Sequence, residues 1–249
     1  MTPLLETRAL AKSFGGIQAI SNVDLTCAAH EIHGLIGPNG AGKTTLVACL
    51  QGQLRPDRGR IMLDGRDITG LSMPARSRAG IARTFQITSI FENMSVFENV
   101  AMVTRARGGA AFRLFDGARL SVDNSNRIDE ILIRTGLGRD GHHLASDLPH
   151  GAKRQLELAM AIASDPSVLL LDEPMAGLGP GETAELADVI RTLRPLAAIL
   201  LIEHDMDVVF SLADRISVMV GGRVIASGSP SEVQSDPEVK RAYLGDEPC

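Results

Sequence analysis

Gly37-Pro38-Asn39-Gly40-Ala41-Gly42-Lys43-Thr44-Thr45 is the stretch that decides how this chain is read. It has the form GxxxxGK[ST]. Apolar Leu35 and Ile36 precede it and the helix-forming run LVACLQG follows it, so the motif stands between a strand and a helix, as its chemistry requires. Glycines let backbone N–H groups converge on phosphate oxygens with no Cβ in the way. The helix N-terminus adds a partial positive charge. Lys43 is a compact cation for β- and γ-phosphates, and Thr44 offers a hydroxyl to Mg²⁺. The stretch predicts a cradle for the tail of a nucleoside triphosphate. The bland alternative, a glycine-rich turn with an incidental lysine, does not account for the order of strand, loop and helix.

Two apolar runs further along end in acids. Val168-Leu169-Leu170-Leu171 runs into Asp172-Glu173-Pro174, and Ile199-Leu200-Leu201-Ile202 runs into Glu203-His204-Asp205. Ligands of parallel sheets sit beyond the carboxyl ends of the strands. Asp172 is therefore placed near the Mg²⁺, reached through a water. Glu173 is expected to polarise an attacking water or accept its proton. His204 can donate to the γ-phosphate or orient the water. Alone, the Asp172-Glu173 pair also reads as a solvated strand end, and His204 reads equally well as a helix N-cap neighbour or surface histidine. Two weaker candidates join them. Phe14, in KSFGG, offers a face for a purine ring, although a Phe before two glycines more often packs in a turn. Gln86, in RTFQ, leaves the core where the chain turns helical and can contact Mg²⁺ or water while moving with a hinge.

Composition limits the partners. Lys and Arg total 25 against 30 Asp and Glu, a formal charge of −5 with a pI near 5.7. With no Trp and one Tyr, neither a basic face nor a stacking platform for nucleic acid is expected. Cys27, Cys49 and Cys249 form no CxxC pair, so zinc and dithiol motifs are excluded, and a reducing compartment suits them. No apolar run approaches the roughly 18 residues a spanning helix needs, and no signal pattern opens the chain. A soluble chain is expected, with any membrane role supplied by a partner.

Short strand patterns alternate with longer helical ones, which predicts an α/β fold. LLETRALAKSF and NVDLTCAAHEIHGLIG read as early strands, the first group antiparallel, and GRIMLDGRDIT turns at Asp64-Gly65. From about residue 87 to 165 the runs MSVFENVAMVTRA, RIDEILIRTGL and AKRQLELAMAIAS carry apolar residues at helical spacing. RGGAAFRLFDGARLSVDNSN, between the first two, reads as a loop or an irregular insertion. A helical lobe at 87–165 thus interrupts a core of 1–86 and 166–249 within a single domain, 1–249. A hairpin is expected at Gly221-Gly222, and a tail helix capped near Ser231.

In the order GPNGAGKTT, TFQ, LPHGAKRQ, LLLDEP, EHD, the chain resembles the ATP-binding-cassette ATPases of ABC transporters. The resemblance covers nearly the whole length. It implies a P-loop NTPase with a RecA-like parallel sheet, an N-terminal antiparallel part and the inserted α-helical lobe. It also implies ATP and Mg²⁺ as ligands, Thr44, Gln86 and Asp172 around the metal, and Glu173, Gln86 and His204 at the reacting phosphate. Two cassettes would sandwich two ATP molecules, each cradle closed by the partner's LSGGQ loop. Here that loop is Leu148-Pro149-His150-Gly151-Ala152: Gly151 keeps a close backbone approach to phosphate, while Pro149 and Ala152 replace the serine and glutamine. The family's SALD is Ala176-Gly177-Leu178-Gly179. AGLGP, FENMSVFENV and SDPEVKRAYLG are similar to the ATPases of branched-chain amino acid importers, specifically the member of the pair with the longer lobe insertion, which also serve urea and short amides; related ATPases belong to lipopolysaccharide exporters. Implied partners are a second ATPase, identical or sister, two membrane permeases and, indirectly, a solute-binding protein. The implied location is peripheral, on the cytoplasmic face of the inner membrane. A groove beside Gln86, lined by Ile87–Asn99 and carrying Ile90, Phe91, Met94, Val96 and Phe97, would receive a permease helix.

Other readings are an exporter ATPase, a soluble cassette ATPase of repair or translation, and a GTPase or small-molecule kinase on the same cradle. Long coiled-coil or zinc insertions and a second fused cassette are absent, and there is no Asn-Lys-x-Asp guanine reader.

Overall fold

Two sheets carry the elements that position the cradle. The computed structural model describes residues 3–84, 90–107 and 122–244. The first sheet is antiparallel, in the order β2-β1-β4-β5, from β1 (Leu5–Phe14), β2 (Ile17–Cys27), β4 (Arg58–Leu63) and β5 (Arg66–Asp67). The β4–β5 turn is Asp64-Gly65, with φ of 48° and 72°, the left-handed pair that a tight two-residue hairpin demands.

The second sheet has the order β10-β9-β3-β8-β7-β6. Its strands are β3 (Ile32–Ile36), β6 (Ile81–Arg83), β7 (Val168–Asp172), β8 (Ala198–Ile202), β9 (Arg215–Val220) and β10 (Arg223–Gly228). All pairings are parallel except β9 with β10, which turn back at Gly221-Gly222. Every residue of β3, β7 and β8 is buried. Leu169 and Leu171 join one core cluster while Val168 and Leu170 join the other, so both faces of the sheet are covered. That is why these strands read as unbroken apolar runs rather than as alternation. A Leu170→Ala change would cost about 3 kcal/mol by the lost burial and the cavity left behind.

Helices cover the sheet. α1 (Lys43–Gln51) follows β3 and α2 (Met73–Ala79) precedes β6. α3 (Val96–Arg107), α4 (Val122–Arg134) and α5 (His150–Ala163) pack on one another through Val96, Val100, Ile128, Leu132 and Leu156. α6 (Pro180–Leu193), α7 (Met206–Leu212), α8 (Pro230–Ser235) and α9 (Pro237–Leu244) complete the chain.

Three local expectations change. Val122–Asn126 belong to α4 rather than to a loop, because Ile128, Ile131 and Leu132 bury one face and carry the preceding polar turn into the helix. The tail helix is capped by Ser229, not near Ser231: the Ser229 hydroxyl accepts from Glu232 N, and the Glu232 carboxylate accepts from Ser229 N in return. A break at Asp236 divides that tail into two helices.

Candidate functional site

The cradle is held by backbone packing that admits only glycine at two points. A Cβ at Gly37 would lie 2.1 Å from the Met219 carbonyl oxygen, and one at Gly42 would lie 2.4 Å from that of Ala19. Gly42 also has φ of 101° and caps α1 without a side chain. Gly40 has φ of 79° and faces open space. Lys43 folds back over the loop, its Nζ donating to the Gly37 carbonyl at 2.6 Å and to that of Pro38 at 3.1 Å. Ala41 is buried and its N–H donates to the Pro38 carbonyl; Pro38 and Thr45 are half-buried; Asn39, Gly40 and Thr44 are exposed. Burial lowers the affinity of Lys43 for its proton, and the charges of Glu173 and Asp172 oppose that shift. The lysine and the acidic pair therefore share one electrostatic environment.

Asp172 closes β7 with its side chain almost fully buried, 2.6 Å from a guanidinium nitrogen of Arg83 at the end of the neighbouring strand β6. Glu173, one residue on, is half-buried with φ of 50°. This is a left-handed conformation costing about 1–3 kcal/mol in a non-glycine residue. Its N–H donates to the Ile202 carbonyl at 2.9 Å, which ties the bend to the end of β8. Glu203 follows β8, fully buried, and accepts from Met175 N at 2.9 Å and His204 N at 3.3 Å. Burial pushes its carboxyl up, and these N–H groups pull it back. The His204 ring is exposed, its Nδ1 3.6 Å from the Glu203 carboxylate, and Asp205 caps α7.

The loop that would face a partner's cradle lies at the start of α5. Pro149 is the N-cap there. The Gly151 N–H donates to a Glu182 carboxylate oxygen at 3.1 Å, and the Gly179 N–H donates to the other at 3.0 Å. A Cβ at Gly151 would meet Glu182 at 2.9 Å. Phe14, 48% exposed, presents its ring with the Lys12 ammonium 5.8 Å from the ring centre. Gln86 and Ile87 lie outside the described residues. In the expected groove Val96 is core and Phe91 is exposed, while Ile90, Met94 and Phe97 are half-buried.

Arg83, Glu182 and Glu203 escape the sequence reading as participants. Arg83 and Asp172 are 89 positions apart, and only the β6–β7 pairing brings them together. Beside Arg83 an open cavity of about 370 Å³ is lined chiefly by apolar groups, among them Met73, Ile81, Val103 and Met160. Glu157 also lines it, buried against Arg154 at 3.0 Å, and burial raises its carboxyl pKa. Among the described residues no helix is long and apolar enough to cross a membrane.

This geometry, with a glycine cradle, a lysine folded over it and acids at the adjacent strand ends, agrees with what known proteins share with the chain. A profile of the ABC transporter family matches residues 20–176, and one of branched-chain amino acid ATP-binding cassette transporters matches 223–248. The high-affinity branched-chain amino acid transport ATP-binding protein LivG of Salmonella typhimurium is 42% identical, with 98% of each chain covered. BraF of Pseudomonas aeruginosa, a protein of the same description, is 37% identical over 98% of each chain. The lipopolysaccharide export ATP-binding protein LptB of Haemophilus influenzae is 34% identical at the same coverage. A crystal structure of the ADP conformation of an ABC-transporter cassette superposes with a TM-score of 0.86 at 28% identity, covering 99% of this chain and all of the other. The resemblance seen in the motifs is thus a relationship along the whole length, and the chain belongs to the ATP-binding cassettes of ABC transporters, the ATP-hydrolysing subunits that drive transport.

Proposed function

We propose that this cassette hydrolyses Mg²⁺-ATP to power the uptake of branched-chain amino acids or related small amides. The single observation that carries the solute class is the full-length similarity to LivG and BraF together with the 223–248 match. The cassette works on the cytoplasmic face of the membrane as one of a pair, identical or sister, beneath two permeases fed by a solute-binding protein.

The residues fit the ligands. Gly37 and Gly42 seat the loop so closely on the Met219 and Ala19 carbonyls that no Cβ fits, which leaves its backbone N–H groups unobstructed for phosphate. Asn39 and Gly40 lie open at its rim, and Phe14 offers the adenine an exposed ring face. Lys43 supplies positive charge to the β- and γ-phosphates. Thr44, with its exposed hydroxyl, and Asp172, through water, are the oxygen donors Mg²⁺ prefers, and Gln86 completes the set. When bound, Mg²⁺ neutralises charge on the phosphate oxygens. Glu173 holds the attacking water and takes its proton, and His204 orients that water or donates to the γ-phosphate. Gly151 meets the partner's phosphate once Glu182 releases its N–H. Closure of the pair removes bulk water from Glu173.

The permease is read as docking on the segment 90–99, where Phe91 is exposed and Ile90 and Met94 are half-buried. Replacing Phe91 and Met94 by Glu should abolish solute uptake in membrane vesicles while ATPase activity of the isolated cassette stays at the wild-type level. Unchanged uptake would remove the permease from this surface.

A further inference from the structure

Arg83 is almost wholly buried, yet its partners belong to different neighbourhoods. One terminal nitrogen donates to Asp172 at 2.6 Å, and the other reaches Gln51 at the end of α1 at 2.8 Å and Gln53 at 3.3 Å. Its Nε is buried with no hydrogen-bond partner among the described residues. A guanidinium held on one edge, with a donor left over, is incompletely satisfied, and such a group in a folded chain asks for an explanation. The side chain also lines the open cavity between α2, α3 and α5, which gives the guanidinium space beside its present partners.

Asp172 could not be left alone if Arg83 moved. A buried carboxylate stripped of its cation carries a large desolvation penalty. A hydrated divalent cation at that carboxylate removes the penalty, so one cation can replace the other. We propose that Arg83 is a positioning residue that competes with Mg²⁺ for Asp172: the ion pair holds the carboxylate in place, and metal capture must displace it. Arg83 then sets how much Mg²⁺ the cassette needs. This rests on the reading above that Asp172 faces the metal.

The test titrates Mg²⁺ into the purified full chain with trinitrophenyl-ATP and follows probe affinity by fluorescence. Arg83→Gln should lower the half-saturating Mg²⁺ concentration by about fivefold to tenfold, the size of coupling that adjoining sites exchange. Affinity for the probe in EDTA should not change. Arg83→Lys, which keeps the charge, should fall between wild type and Gln. A merely structural loss would raise the Mg²⁺ requirement or weaken probe binding in EDTA as well. An unchanged or raised half-saturation in both variants, with EDTA binding intact, overturns the proposal. If Arg83→Gln does not fold, a Lys variant with the wild-type Mg²⁺ requirement does the same. Asp172→Asn separates the two levels. If it raises the requirement while the Arg83 variants leave it unchanged, only the competition fails. If it leaves the requirement unchanged, the placement of Asp172 at the metal fails.

Discussion

The two ends of the parallel sheet treat their charged groups differently. At the amino ends the charges are used up within the chain. Glu31 accepts from Ala28 N and Arg215, and Asp214 accepts from Ile32 N and Arg194. His33 shares a hydrogen bond with Ser217 at 2.8 Å. At the carboxyl ends Lys43 folds over the glycine loop, Glu173 sits half-buried in a strained turn and the His204 ring is exposed. One end is closed by contacts within the chain, while the other leaves Asn39, Gly40, Thr44 and the His204 ring exposed. Topology alone does not explain this division, because the same strands supply both ends. The sequence at each strand terminus does.

Breaking the working end should have the largest effect. Glu173→Gln should slow single-turnover hydrolysis on the order of a thousandfold, as when an essential base is lost, while nucleotide binding persists. A wild-type single-turnover rate would remove Glu173 from that role. Next comes the closed end. Burial drives the His33 pKa down from 6.5 to about 4. Between those values the unfolded chain binds the proton and the folded chain does not, so stability is present above pH 6.5 and falls as the pH drops toward 4. The loss amounts to about 3 kcal/mol at most. Urea unfolding across pH 4–7 should show this slope in the wild type and a flatter one in His33→Gln, with no change in nucleotide affinity near neutral pH.

Lys43→Ala should weaken ATP binding by calorimetry about tenfold or more, the value of a hydrogen bond to a charged group. It should also lower thermal stability by about 1 kcal/mol, since the buried Gly37 carbonyl loses its donor. Glu182→Ala probes a boundary between the two behaviours, because its carboxylate fills the N–H groups of Gly151 and Gly179. Its removal should lower stability by about 1 kcal/mol, roughly 2–4 °C in the melting temperature. It should also leave Gly151 free, so that ATP-induced pairing of the E182A chain, followed by sedimentation, is no weaker than wild type.

The working end is legible in the sequence to an unusual degree because its determinants are local. Gly37 to Thr45 form a contiguous motif, and the runs before Asp172 and Glu203 are apolar throughout because β7 and β8 are covered on both faces. Where a determinant is non-local, sequence alone misses it. β6 has three residues, Ile81, Ala82 and Arg83, too few to show a period, and becomes a strand only by pairing with β7. The seven residues of α2 carry only Arg76 as a buried side chain, held by the carbonyls of Cys49, Leu50 and Thr69 rather than by an apolar face. Arg83 opposite Asp172 follows from that strand pairing, and Glu182 beneath Gly151 from the packing of α5 on α6; no spacing along the chain encodes either.

The left-handed turn at Glu173 has a consequence for anyone selecting this protein for heat resistance. Glycine at that position would relieve the backbone and harden the fold, and the same exchange would delete the carboxylate proposed above to activate water. Selection on melting temperature alone therefore pulls toward an inert protein at this one codon, so any such campaign must score turnover alongside endurance.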